Sequence, residues 1–162
     1  MQIQDAAVPP KTADSLVKPY ALTHGTLECH DLRDTRKFLE EFLGLEVVRH
    51  SPKTMVFRCG LKFHVVCVEV GEDVHGTTLY NHWGIDVASK EDVDAAWRIA
   101  QERKEEYKIR QIMEPNLNHG VYSFYLEDLN QTWWEIEYYD GFLHDDYFDF
   151  GDRYDMDGTP TA

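Results

Sequence analysis

The sequence has no apolar run approaching the roughly 20 residues that a membrane-spanning helix needs. Its opening MQIQDAAVPPKTAD also lacks the basic-then-apolar pattern of a secretory leader. A cytoplasmic location with no membrane partner is therefore expected. Cations are scarce: 16 Lys and Arg against 30 Asp and Glu leave a net charge of −14. A phosphate backbone is bound by clustered Lys and Arg that displace counterions, so no nucleic-acid partner is expected. Cysteine is scarce too. Cys29, Cys59 and Cys67 cannot all pair within one chain, and no two have C-x-x-C spacing, so they read as reduced thiols packed in strands. The 162 residues, 43% of them apolar, suit one domain with its own core and are too few for two large ones.

The chain has a repeated plan. Residues 1–20 carry Pro9, Pro10 and Pro19 among polar residues and read as an irregular arm. From Ala21, HGTLECHDL (24–32) alternates with the period of a strand. Asp34 or Thr35 can then cap a short helix, TRKFLEEFLG, with Phe38, Leu39, Phe42 and Leu43 as its apolar stripe and Gly44 at its stop. LEVVRH (45–50), TMVFRC (54–59) and KFHVVCVEV (62–70) follow as strands. The second half opens with the strand HWGIDVA (82–88). Ser89 and Asp92 then have capping-box spacing before a helix, KEDVDAAWRIAQERKEE, that turns Val93, Ala96, Trp97 and Ala100 to one face. KIRQIM (108–113), VYSFYLE (121–127) and TWWEIEYY (132–139) complete it. Each half is thus strand, helix, strand, strand, strand over about 55 residues, the mark of an internal duplication. The acidic tail from 141 to 162 carries Phe142, Tyr147, Phe148, Phe150 and Tyr154. So many rings predict that part of it packs on the domain or on a second subunit, suggesting a homodimer, while the last few residues are expected to be disordered.

Two βαβββ modules, with a His opening the first strand of each and a Glu in the last strand of the second, resemble the vicinal oxygen chelate superfamily. That group includes glyoxalase I, extradiol ring-cleaving dioxygenases, fosfomycin- and bleomycin-resistance proteins and methylmalonyl-CoA epimerase. The matching stretches are THGTLECHDLRDTRKFLEEFLGLEVV (23–48), NHWGIDVASKEDVDAAW (81–97) and YSFYLEDLNQTWWEIEYY (122–139). The resemblance covers residues 21–140, as modules of about 21–75 and 80–140. It implies an α+β fold, the modules in pseudo-twofold arrangement forming an open, curved sheet around a metal site. One departure is plain: the usual Asp-Pro-x-Gly-Asn turn before the ligand Glu is here Asp128-Leu129-Asn130-Gln131-Thr132. Asp and Asn both tolerate turn conformations, and counting on from Asp128 still reaches Glu135.

The resemblance implies His24, His82 and Glu135 as ligands of a divalent metal, with Glu137, on the same face of its strand, as the fallback. Two imidazoles and one carboxylate make a facial triad, which suits Fe(II), with Mn(II) as the alternative, and leaves positions open to substrate. Three further residues point to the dioxygenase branch. Tyr125, inside SFYLED, resembles the tyrosine with which type I extradiol dioxygenases hydrogen-bond the substrate hydroxyl. His64 lies where the pseudo-twofold axis would put the counterpart of Glu135, a region that holds an acidic ligand in glyoxalase I and an acid–base His in the extradiol enzymes. His119, in the loop Asn116–Gly120, would contact substrate from the side. Tyr80, Trp83, Tyr122, Phe124 and Trp134 supply aromatic surface for a pocket, some of it core. The function implied is an Fe(II) extradiol-type dioxygenase acting with O2 on a catechol-like aromatic small molecule. The alternatives are a non-redox isomerase, epimerase or lyase on the same scaffold, or a metal-free binding or resistance protein.

Overall fold

A computed structural model describes residues 16–17, 21–141, 144 and 146–161. The arm expected over residues 1–20 falls almost entirely outside them, as does Phe142. No helix among the described residues is long and apolar enough to cross a membrane. The fold is α+β, with two open sheets and few helices. The chain divides into two compact units: the first runs to Gly76 and includes Leu129–Gln131, while the second holds Thr77–Asp128 and the chain from Thr132.

The first unit is β1 (His24–Cys29), α1 (Leu32–Lys37), β2 (Glu46–Ser51), β3 (Thr54–Arg58) and β4 (His64–Glu69). Its sheet has the order β1-β4-β3-β2, with β1 and β4 parallel and the rest antiparallel. Alternation divides its residues cleanly. Cys29, Val47, Met55, Phe57, Val65 and Cys67 are buried with Leu32, Phe38 and Leu39, while the residues between them on each strand point to the other face. Two of the three thiols, Cys29 and Cys67, are packed in strands as expected; Cys59 is exposed just after β3.

The helix starts earlier than the sequence reading placed it. Asp31, not Asp34 or Thr35, is the N-cap: its Oδ1 accepts from the backbone N–H groups of Arg33 and Asp34, both at 2.9 Å. Thr35 is instead buried inside the helix, its hydroxyl accepting from Asn130 Nδ2 at 3.0 Å. The helix then widens into a π-helical turn, Phe38–Phe42, and stops at Gly44, whose φ of +71° is the left-handed conformation glycine adopts without strain. Since the cap satisfies two otherwise unpaired donors, Asp31→Ala should cost about 1 kcal/mol of stability. A urea midpoint that does not move would refute the cap.

The second unit is β5 (Trp83–Asp86), α2 (Lys90–Glu102), β6 (Gln111–Ile112), β7 (Asn116–Asn118), β8 (Val121–Glu127), β9 (Trp133–Tyr138) and α3 (Asp146–Phe150). The order is β5-β9-β8-β6, β7 also pairing with β8, and again only the outer pair β5/β9 is parallel. Ser89 caps α2 as its spacing predicted, accepting from Asp92 N at 3.2 Å. Val93 and Ala100 are buried and Ala96 and Trp97 half-buried, so the apolar stripe faces the core. The expected loop Asn116–Gly120 is in fact a short strand and a tight hairpin turn, with His119 (φ +52°) and Gly120 (φ +84°) at its tip. Within the tail, Tyr154 pairs with Pro160 across a turn in which Asp155 N donates to Thr159 O at 2.7 Å.

Candidate functional site

The second sheet carries the densest group of chemically active side chains. Strand pairing sets Gly84 beside Glu135 and Asp86 beside Glu137 on β5/β9, and Tyr125 opposite Glu135 and Ser123 opposite Glu137 on β8/β9. By alternation all six lie on one face, and Trp83, Ile85, Phe124, Leu126, Trp134 and Ile136 lie on the other, toward the core. The aromatic pocket wall anticipated from sequence is thereby redistributed. Phe124 and Trp134 are core, Tyr122 donates its hydroxyl to Asp94 on α2 at 2.7 Å, and Tyr80 is 97% exposed. Trp83 shares the core face; of the large rings on the sheet, Tyr125 and Trp133 are left on the opposite side.

His82 immediately precedes β5, and its ring is fixed by its own turn. Nδ1 lies 2.6 Å from the Leu79 carbonyl, which can only accept, so Nδ1 carries a proton and Nε2 is the nitrogen turned to the sheet. That Nε2 is 2.9 Å from Glu135 Oε2. Two lone pairs at such a distance need a proton or a cation between them. Glu135 is itself 8% exposed and is oriented by Ser123, whose hydroxyl donates to Oε1 at 2.6 Å. A tautomer fixed by a backbone carbonyl and a carboxylate held by a hydroxyl are the outer-shell contacts that metal ligands have. The donor set thus fits a divalent ion.

Tyr125 sits against both groups. Its ring meets His82 edge-on at 5.1 Å between centroids. Burial first, then its hydrogen bond to the Glu135 carboxylate, push the phenol far above its ordinary range, so it stays protonated as an O–H donor. Glu137, two residues along, is raised by burial and then by the charge on Glu135, opposed by His144, whose Nε2 is 3.4 Å from Glu137 Oε1. A Cβ at Gly84 would come within 3.2 Å of that same oxygen, so glycine leaves room for the carboxylate.

In the first unit, His24 and His64 are register partners on β1 and β4, their rings stacked at 5.7 Å and 16°. His24 is exposed, with Nδ1 2.9 Å from Thr23 Oγ1, and His64 is half-buried. Glu69, of opposite parity, turns away and accepts from Leu32 N at 3.2 Å. The register also refines one expectation. Gly84, two residues after His82, pairs with Glu135, whereas Thr26, two after His24, pairs with Val66. The counterpart of Glu135 is therefore Val66, and His64 is one pleat away on the same face.

His119 is not brought to the His82–Glu135 group. It tips the hairpin beyond Val121, and the four residues from Val121 to Tyr125 span about 13 Å. It lines a surface cleft with Tyr147, Phe150, Arg153 and Tyr154 instead. Sequence reading missed Ser123, Asp86 and His144. The first two had a signal: Ser123 shares strand parity with Tyr125, and Asp86 follows His82 by four as Glu28 follows His24. His144, in the tail, had none.

Residues 21–136 match the model of the Glyoxalase/Bleomycin resistance protein/Dioxygenase superfamily. No curated protein matches the chain. Among solved structures it is similar to a glutamate-to-glutamine variant of the fosfomycin resistance protein FosX from Listeria monocytogenes, complexed with Mn(II) and 1S,2S-dihydroxypropylphosphonic acid. Identity is 21%, coverage 82% of this chain and 99% of that one, and the TM-score 0.60. It is also similar to a lactoylglutathione lyase from Agrobacterium tumefaciens (22% identity, 74% and 94% coverage, TM-score 0.53). A possible glyoxalase from Bacillus cereus gives 24% identity, 73% and 98% coverage and a TM-score of 0.57. At these identities the likeness is one of fold.

Proposed function

The chain belongs to the Glyoxalase/Bleomycin resistance protein/Dioxygenase superfamily, and from that premise we propose that it is a divalent-metal enzyme of the extradiol ring-cleaving kind, acting with O2 on a catechol-like aromatic small molecule. The observation that carries the metal reading is His82 Nε2 facing Glu135 Oε2 at 2.9 Å, with Nδ1 held by the Leu79 carbonyl and the carboxylate by Ser123. His82 and Glu135 are its ligands. His24 joins them on the sequence resemblance alone. When bound, the metal, Fe(II) with Mn(II) as alternative, supplies open coordination positions and a Lewis acid that acidifies a ligated hydroxyl.

The chain's own side chains do the positioning and the proton handling. The Leu79 carbonyl keeps the proton on His82 Nδ1, and Ser123 holds Glu135 in one rotamer. Tyr125, kept protonated, turns its O–H from Glu135 to a substrate oxygen when substrate binds. His64, on the sequence resemblance alone, is the acid–base group that takes the proton of the substrate hydroxyl and returns it. Tyr125 supports the dioxygenase branch because it combines the sequence position, ten residues before Glu135, with a place opposite Glu135 on the adjacent strand.

One observation favours a second reading. Glu137, on the same face as Glu135 and raised by burial, could move a proton without O2, which suits the non-redox isomerase, epimerase or lyase alternative. Protein purified anaerobically, loaded with Fe(II) and offered a catechol panel separates the two. The dioxygenase reading requires one O2 consumed per ring cleaved; turnover that persists undiminished without O2 sinks it and favours the second. Within the first reading, Tyr125→Phe removes one hydrogen bond to a charged partner, about 1.5 to 3 kcal/mol. It should lower kcat/KM roughly 10- to 100-fold when assayed at saturating metal, as steady-state kinetics beside metal analysis would register.

A further inference from the structure

The C-terminal tail brings an imidazole to the sheet at a place the proposed ligands do not use. His144, at φ +53°, is clamped between two phenols, stacked on Tyr139 at 4.1 Å and 27° and tilted against Tyr147 at 5.1 Å. Its Nδ1 is buried and meets no hydrogen-bonding partner among the described residues, so Nε2 is the nitrogen that is directed at something. What it faces is Glu137. Parallel pairing puts Asp86 beside Glu137, and one ligand atom from each of Asp86, Glu137 and His144 lies within 4.8 Å of the others.

The spacing suits a coordination sphere, since the three ligand atoms lie within 4.8 Å of one another and the His144–Glu137 contact among them is a long one. Nε2 and Glu137 Oε1 are 3.4 Å apart, beyond the roughly 2.7–3.2 Å of an N–H···O bond. Ligands bound at about 2.1 Å to one octahedral ion lie about 3.0 Å apart when adjacent and about 4.2 Å when opposite, which small side-chain rotations reach from here. Two carboxylates held side by side repel, and a cation between them converts that repulsion into attraction. Glycine at position 84 keeps the room beside the Glu137 carboxylate clear.

We infer that Asp86, Glu137 and His144 form a second divalent-metal site, separate in all its ligands from His82 and Glu135, and that the tail closes it. Two oxygens and one imidazole nitrogen select an ion of intermediate hardness, Mn(II), Fe(II) or Zn(II), over a thiophilic one. The site does not depend on the reaction proposed above.

Full-length protein stripped with a chelator and titrated with Mn(II) alone, the free ion followed by its electron paramagnetic resonance signal, tests this. Two ions should bind per chain. His144→Ala and Asp86→Asn, the second a near-isosteric change at an exposed residue, should each remove one ion or weaken it at least tenfold, with thermal melting confirming the fold. The inference is overturned if both variants titrate as the parent does, or if one ion binds in all and His82→Ala alone abolishes it. If His144→Ala and Asp86→Asn each lose one ion while His82→Ala keeps both, the tail site stands and the His82 reading fails.

Discussion

Replacing His82 with alanine is expected to give a folded protein that binds one metal ion fewer per chain and has no metal-dependent turnover. The ring is placed for one purpose: its Nδ1 is committed to the Leu79 carbonyl and its Nε2 to Glu135. Loss of an outer-shell partner of a metal ligand typically costs about 10- to 100-fold in affinity, and loss of the ligand itself should exceed that. The fold should survive, because the side chain is 30% exposed at the head of a strand and its removal opens no enclosed cavity. Ser123 would still hold Glu135. Metal analysis together with a melting curve gives the answer. Full metal content in the variant would remove His82 from the site, and a collapsed melting curve would show that the residue is structural.

His64→Ala is expected to lower kcat by about 10² to 10⁴, roughly 3 to 5 kcal/mol of barrier, while metal content and substrate affinity stay near those of the parent. The imidazole is half-buried, stacked on His24, and on the strand face opposite to the buried Val65 and Cys67. It is therefore not a core residue, and its truncation should cost little stability. Being one pleat from the counterpart of Glu135, it is placed beside the equivalent of a ligand position rather than in it, which fits proton transfer better than coordination. Losing metal and activity together would make His64 a ligand; losing neither would remove it from the chemistry and leave Tyr125 and Glu137 as the proton-handling groups.

The duplicated strand and helix order was legible because period-2 and period-3.6 apolar patterns are written in local sequence, and because Ser89 and Gly44 sit where a cap and a stop are needed. The shared face of Glu135 and Glu137 follows from alternation alone. The cap of α1 was misplaced by three or four residues because Asp31, Asp34 and Thr35 are all competent caps, and only the buried contact of Thr35 with Asn130, 95 residues on, tells them apart. The loop at 116–118 became a strand for a similar reason: its residues have little strand preference of their own and are held by pairing with β8.

By itself, then, the sequence determined the family, the α+β plan and the pairing of a His with the start of each module, since these rest on short-range pattern and on spacing along the chain. Only the tertiary structure decided which nitrogen of His82 faces Glu135, that Ser123 orients Glu135, that Val66 rather than His64 answers to Glu135, and that His119 lies with the tail while His144 lies on the sheet. Those facts depend on interstrand register and on contacts between segments distant in sequence, and a shift of one residue in register would have turned Ser123, Glu135 or Val66 to the other face of its sheet.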